Sequence, residues 1–474
     1  MHMTLKPANS TRLATGATAP SSAYDPQYDP LVADNPGRGR DYAPTYWVAT
    51  AGPAPEDDGP VTHDMDVDVA IIGAGFTGLV AAQELAREYG IKATVLEANR
   101  VSWGCTSRNG GQAQNASGRL SRSQWIARWG EDVALRMHAE IRDGFDYFKG
   151  LIQSGNIQCD PQPGGHLYIA HRPWALEKLR SESEVLNKVF GYPTRILDRA
   201  TVAREYLDDA ECCGAMHEPD GIGVHPLKLA YGYLRMAREA GATVHPSSPV
   251  TKWETRDGLH YLTTPGGVVR ARAVGVATGG YTSQTLNPLL RNKIMPILSN
   301  SMVTRPLTAA ELDACNFRTT EVITDTRTLR FYYRRLPDNR VQIGSRSAIT
   351  GIDAPAARHQ QLLIEGLGRK FPALKGIQID YSWWGWVDVS HDMMPRITQP
   401  DPNQTAYYAM GYGGNGVMYS AQAGRRLAQW IAGQGRSLDL PIFTSPLPGH
   451  VFAPFRRIGQ RMLFHWYHFR DERA

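Results

Sequence analysis

Apolar and polar positions change their rhythm at Asp66. Upstream, residues 1–64 run through NPGRGRDYAP and AGPAPEDDGP without a periodic apolar stripe. That composition predicts an extended arm, with Tyr42, Tyr46 and Trp47 as aromatic anchors that can lie against the body. Downstream, VDVAIIGAGFTGLVAAQELAREYGIKATVLEA reads as strand, glycine turn, amphipathic helix, short turn and second strand. The continuous apolar run 67–72 suits a strand buried on both faces of a parallel sheet. Helical periodicity over 226–240 ends at Gly241, a C-cap, and strands follow at Thr243-Val244 and over 271–277. Between these pieces, residues 125–205 alternate helices with a strand at 166–170. Residues 290–385 hold strands at 329–333 and 340–344 and a helix near 358–371.

Two domains interleaved in sequence follow from this pattern, in an α/β fold. A Rossmann-like nucleotide domain takes 65–124, 206–289 and 386–435. An α+β substrate domain on a mixed sheet takes 125–205 and 290–385. The arm covers 1–64, and 436–474 form a C-terminal segment with a terminal helix.

Composition narrows the setting. No apolar run approaches the roughly 20 residues of a membrane-spanning helix, and the first residues lack the apolar stretch of a secretory signal. Five cysteines at irregular spacing, with no Cys-x-x-Cys pair, argue against a disulfide framework or a metal site and place the chain in a reducing cytoplasm. A net charge of +5 over 474 residues is too diffuse to indicate nucleic acid as a partner.

The chemistry begins at Gly73-Ala-Gly75-Phe-Thr-Gly78. Gly73 permits the tight turn, Gly75 lets backbone approach a pyrophosphate, and Gly78 lets helix and strand pack closely. The helix start offers free N–H groups and a partial positive charge to phosphates. Glu97 ends the second strand, where a carboxylate accepts hydrogen bonds from ribose hydroxyls. The polar loop that follows, including Ser107, Arg108, Asn109, Gly110, Gly111 and Gln112, suits a flat ring system with phosphate and ribityl oxygens, which favours FAD over NAD. A second glycine turn, Gly411-Tyr-Gly413-Gly414-Asn415-Gly416-Val417, leads from a strand into a helix through 421–431. A helix N-terminus aimed at the pyrimidine edge of a flavin stabilises negative charge there.

GAGFTG with Glu97, the SRNGGQ loop, Gly164-Gly165-His-Leu, Gly223-Val-His225-Pro, Ala277-Thr278-Gly279 and GYGGNGV together resemble the D-amino-acid-oxidase-like flavoprotein superfamily. The likeness is to its γ-glutamylputrescine oxidase-like branch and extends from about residue 43 to the C-terminus. The resemblance implies a D-amino-acid-oxidase/glutathione-reductase-like fold holding one FAD. It also implies that Val250 offers backbone bonds to the adenine, and that the Asn415–Met418 turn lies at the flavin ring. The reaction implied is hydride transfer from an amine's α-carbon to flavin N5, giving an imine that water hydrolyses. Its partners are a small amine and O2 or another electron acceptor. Members of this branch take secondary amines such as γ-glutamylated polyamines; the wider family takes sarcosine, glycine and D-amino acids. The competing readings are an N-methyl-, D- or glycine-type amino-acid oxidoreductase and, from a different class, a non-catalytic flavin-binding protein.

Departures from the family pattern matter. Sarcosine-oxidase-like relatives hold the substrate carboxylate with a lysine where this chain has Met418, and carry an oxygen-activating lysine where it has Gln342. A neutral amide lacks the charge that stabilises superoxide. Arg346 is either a substrate-facing cation or an exposed strand-end arginine. Arg108 replaces a histidine that links FAD covalently in some relatives, and Cys105 reads as a small buried cysteine, so the FAD is expected to be dissociable. In Trp383-Trp384-Gly-Trp386, alternation puts Trp384 and Trp386 on one face, with Trp384 as a candidate substrate wall. Asp388, His391 and Asp392 are either an ammonium site or a structural turn, and His166 and His225 are either bases or satisfied structural histidines. The basic, amphipathic segment 455–467 either docks on the core or touches a membrane surface peripherally.

Overall fold

The computed structural model describes residues 23–33, 35–449 and 452–473; the first third of the expected arm, residues 1–22, lies outside them. Met65–Ile72 is the central strand of the first sheet, its last four residues buried. Parallel neighbours flank it: Ala93–Leu96, then Thr243–His245, on one side, and Gly267–Val276, then Ala406–Met410, on the other. The chain first builds outward to one side and returns to the other, so the strand order reverses at Met65–Ile72. Such a reversal opens a crevice at the carboxyl ends of the strands. The turns at Gly73, Glu97, Thr278 and Gly411 all leave those ends.

Helices Phe76–Tyr89 and Gly416–Ile431 cross tightly on one face of this sheet. A Cβ on Gly424 would sit 2.7 Å from the Thr77 carbonyl oxygen, so glycine sets their separation. A hairpin, Lys252–Arg256 with Leu259–Thr264, extends the sheet antiparallel to Gly267–Val276.

The second sheet is mixed and also has eight strands. Ile294–Thr304 pairs with Ile379–Ser390 on one side and Val341–Ser345 on the other. Tyr332–Arg335, Val322–Asp325, His166–Ala170, Gly214–Glu218 and Arg195–Asp198 follow in order. These pairings move two expected boundaries. Gly214–Glu218 belongs to this sheet, so the nucleotide segment set to begin at 206 starts after it. The boundary at 386 falls inside the continuous strand Ile379–Ser390. An apolar run carries no mark of which sheet it joins, because the pairing is non-local. The strand expected at 329–333 starts at Tyr332 instead, because Asp325 accepts the N–H groups of Arg327 and Phe331 and bends the chain there.

The described part of the arm is docked rather than loose. Thr45 caps the short helix Tyr46–Thr50, Trp47 is buried, and its Nε1–H donates to the Asn109 carbonyl at 2.8 Å. Tyr28 stacks on Tyr281 with ring centroids 5.9 Å apart.

Candidate active site

One cavity follows the strand ends of the first sheet and is roofed by the second. Its floor is the first glycine turn. Gly73 has φ +106°, and a Cβ there would lie 2.7 Å from the Ala277 carbonyl oxygen. A Cβ on Gly78 would overlap the Gly73 carbonyl, so the helix presses directly on the turn. Gly75 caps that helix without a side chain, and only Thr106 Oγ1, at 3.0 Å, stands before its missing Cβ. The helix start therefore faces the cavity without a cap of its own, the Phe76 N–H reaching only Thr106 Oγ1 at 3.4 Å. Glu97 lines the cavity with each oxygen holding one backbone N–H at 3.0 Å, from Ala74 and Asn99, and burial raises its pKa. A carboxylate has about four acceptor positions, so two remain for other donors.

The loop after Glu97 divides its labour differently from expectation. Ser107 and Gly111 are absent from the lining. Ser107 Oγ donates to the Trp103 carbonyl at 3.1 Å and fixes a one-turn 3-10 helix. Gly111, at φ +65°, lets the chain pass against the Val224 carbonyl. Asn109 braces the loop through the Cys105 and Thr106 carbonyls and the Gly111 N–H, and still lines the cavity. Gly110, Gln112, Val250, Thr278 and Gly279 line it as well. Arg108 projects its guanidinium over the Trp103 ring at 4.2 Å, with Nε and one terminal nitrogen buried and without a hydrogen-bond partner. Cys105 lines the wall nearby, its thiol pushed up to about 12 by burial.

At the far end lies the second glycine turn. Gly411, Gly413 and Gly414 have φ of +93°, +66° and +94°. Gly414, Asn415, Gly416 and Val417 line the cavity; Gly411 and Gly413 sit behind them and give the turn its shape, and Met418 is packed in the core. Asp388 holds this turn. Its carboxylate accepts the Gly411 N–H at 2.6 Å and its carbonyl accepts the Gly413 N–H at 2.8 Å. Burial pushes that carboxyl up to about 6. Asn415 donates to the Gly118 carbonyl at 2.5 Å and leaves the following helix start without a side-chain cap.

Beside this turn Arg119, Arg330 and Arg346 line the same cavity. Among the described residues none of the three has a carboxylate partner, and Arg119 donates to the Gly413 carbonyl at 3.4 Å. Nε and one terminal nitrogen of Arg346, and Nε of Arg330, are buried without a hydrogen bond. Burial and the Arg330 charge lower Arg346 to about 10, while the Arg346 charge, burial and Arg330 together hold Arg119 well below the ordinary arginine range. Three like charges left uncompensated are costly, and a bound anion relieves them. Sequence reasoning singled out Arg346 alone; Arg119 and Arg330 lie in irregular segments with no motif around them.

Other expected contacts fall elsewhere. Trp384 does not line the cavity, because its Nε1–H donates to the Pro26 carbonyl of the arm at 2.9 Å. Trp386 makes the matching bond to the Tyr28 carbonyl, and Trp383 points the other way, to the Arg108 carbonyl. Gln342 is buried one layer back, its amide donating to Ser301 Oγ at 2.8 Å, its oxygen unpartnered and next to Gly110. His166 is held between Glu218 and Thr324, and His225 caps a helix. Asp392 pairs with Arg128 and Arg396.

The helix start at Gly75, with no side-chain cap of its own, and the Glu97 carboxylate at the strand end suit a diphosphate and a ribose, so the residues present fit FAD. Comparison with known proteins agrees. The model of the family described as FAD dependent oxidoreductase matches residues 68–430. The chain is 30% identical over 431 residues to gamma-glutamylputrescine oxidoreductase of Escherichia coli, covering 88% of this chain and 97% of that protein. It is 30% identical over 384 residues to the probable oxidoreductase OrdL of Haemophilus influenzae, covering 80% and 86%. Glycine oxidase from Geobacillus kaustophilus superposes with a TM-score of 0.69 at 21% identity over 81% of this chain and all of that one. The chain belongs to the D-amino-acid-oxidase-type family of FAD-dependent oxidoreductases, and it is an enzyme that acts on amines or amino acids.

Proposed function

We propose that this enzyme oxidises the C–N bond of a γ-glutamylated polyamine, γ-glutamylputrescine being the simplest example. The observation that carries this reading is the arginine cluster of Arg119, Arg330 and Arg346 beside the second glycine turn. A bare polyamine is a polycation, and three unpaired guanidinium groups repel it at short range. A γ-glutamyl group brings a free α-carboxylate to the same amine. An arginine holds such a carboxylate with charge-assisted, often paired hydrogen bonds. The 30% relative whose name specifies that substrate supports the choice.

In this reading the Gly73–Gly78 turn receives the diphosphate of FAD, Glu97 and Val250 its adenosine end, and Gly414–Val417 its ring end. When bound, FAD supplies the acceptor for the hydride that leaves the amine's α-carbon. The arginines fix the carboxylate end of the substrate and so orient the distant C–H bond, and the second sheet excludes water above it. The five unpaired cysteines suit a cytoplasmic setting.

The same cluster also suits an amine that bears its carboxylate on the reacting carbon, as in N-methyl amino acids, glycine or D-amino acids. Initial rates with γ-glutamylputrescine, sarcosine, glycine and D-alanine separate the two. The proposal requires the first to lead by at least an order of magnitude in kcat/KM, and a lead by any of the others overturns it.

A further inference from the structure

The C-terminal helix Arg456–Arg473 meets the body of the protein with its polar side. Arg457 pairs with Asp29 at 2.8 Å and reaches the Pro296 carbonyl, Gln460 is buried, and Asp471 accepts the Thr328 N–H at 2.6 Å. With the partly buried Phe464 and Tyr467, these positions recur every three or four residues along one face. The opposite face carries Phe455, Ile458, Met462 and Trp466, which are 62%, 58%, 69% and 57% exposed. A surface helix ordinarily turns its apolar stripe inward, and this one is inverted.

The surroundings extend the stripe. Val32 and Ile352, also strongly exposed, sit on loops that meet at Asp29, which accepts the Gly351 N–H and holds Arg457. Of eleven exposed large apolar residues among those described, seven lie within 452–469 and these two adjoin them. Arg456 and the exposed Arg461 flank the stripe, while Arg457 pairs with Asp29 and Arg470 with Asp471. Apolar patches of this kind mark interaction sites. An apolar stripe with an interfacial tryptophan, flanked by Arg456 and Arg461, complements the headgroup region of an anionic bilayer.

We propose that this helix, together with Val32 and Ile352, seats the enzyme on an anionic lipid surface without crossing it; among the described residues no helix is long and apolar enough to cross. The stripe and its flanking arginines lie outside the cavity, so this surface is independent of the substrate reading.

The test is flotation of the full-length, FAD-loaded protein with vesicles of phosphatidylcholine containing phosphatidylserine, and with vesicles of phosphatidylcholine alone. The protein is expected to float with the first and not the second, and raised salt is expected to release it. The double variant Met462→Ser/Trp466→Ser alters only exposed side chains. It should cut the floated fraction roughly tenfold while leaving the flavin spectrum and melting temperature in place. Arg461→Glu should weaken flotation with the anionic vesicles. The proposal is overturned if the wild type does not float with anionic vesicles or if the double variant floats as well as the wild type. It is equally overturned if the stripe proves to be a dimer contact, read as a wild-type dimer that the double variant turns into monomer.

Discussion

Arg346 stands against Gly414: a Cβ added to Gly414 would fall 2.7 Å from an Arg346 terminal nitrogen. The turn that shapes one end of the cavity and the cation that charges it are thus fitted to each other. Gly414 also has φ +94°, which side-chain-bearing residues rarely adopt. Gly414→Ala is therefore expected to lower stability by about 1–3 kcal/mol and to displace Arg346. Thermal unfolding should show the loss, and steady-state kinetics should show KM for the carboxylated substrate rising.

Replacing Arg346 with methionine should separate recognition from stability. A hydrogen bond to a charged group contributes about 1.5–3 kcal/mol, so KM is expected to rise about ten- to hundredfold. The unliganded protein should be no less stable, because one of three mutually repelling charges is gone. A large loss of melting temperature with unchanged KM would make Arg346 structural.

Asp388 predicts a pH dependence. An unburied aspartate titrates near 3.8, and burial moves this one to about 6. The folded protein thus holds the proton more tightly than the unfolded chain. Between those values Asp388 destabilises the fold progressively as pH rises, by about 3 kcal/mol once pH passes 6. Asp388→Asn keeps an oxygen to accept the Gly411 N–H and removes the charge. Its stability relative to wild type is expected to climb from near zero at about pH 4 to a gain of a few kcal/mol at about pH 7. Urea unfolding of both proteins across that interval checks this, and a difference that does not change with pH would contradict it.

The flavin should leave with acid. The resemblance sets Arg108 where some relatives carry the histidine that attaches FAD, and burial pushes the Cys105 thiol up to about 12. Precipitated and washed protein is expected to be colourless with all the FAD in the supernatant; retained yellow colour would show a covalent link.

Much of the first sheet and the cavity floor could be read in the sequence, because Gly73, Gly75, Gly78 and Glu97 lie within one strand–helix–strand unit where spacing is geometry. Asn415–Val417 were legible for the same local reason. Arg119 and Arg330 were not: only the folding of two distant loops brings them together. Ser107 and Gly111 resembled ligands since they share a loop with Arg108, yet their atoms serve the turn itself. Alternation rightly paired Trp384 with Trp386, but it does not say that the arm covers that face. The Pro-rich composition of the arm concealed carbonyls at Pro26 and Tyr28 that receive both indoles.

The most direct test of the substrate reading is anaerobic reduction of the FAD-loaded enzyme by putrescine and by γ-glutamylputrescine, in wild type and in Arg346→Met. γ-Glutamylputrescine is expected to bleach the wild-type flavin rapidly and putrescine is not, and Arg346→Met is expected to narrow the difference. Bleaching by putrescine as fast as by its γ-glutamyl derivative would contradict the carboxylate-binding role of the arginine cluster and the function proposed from it.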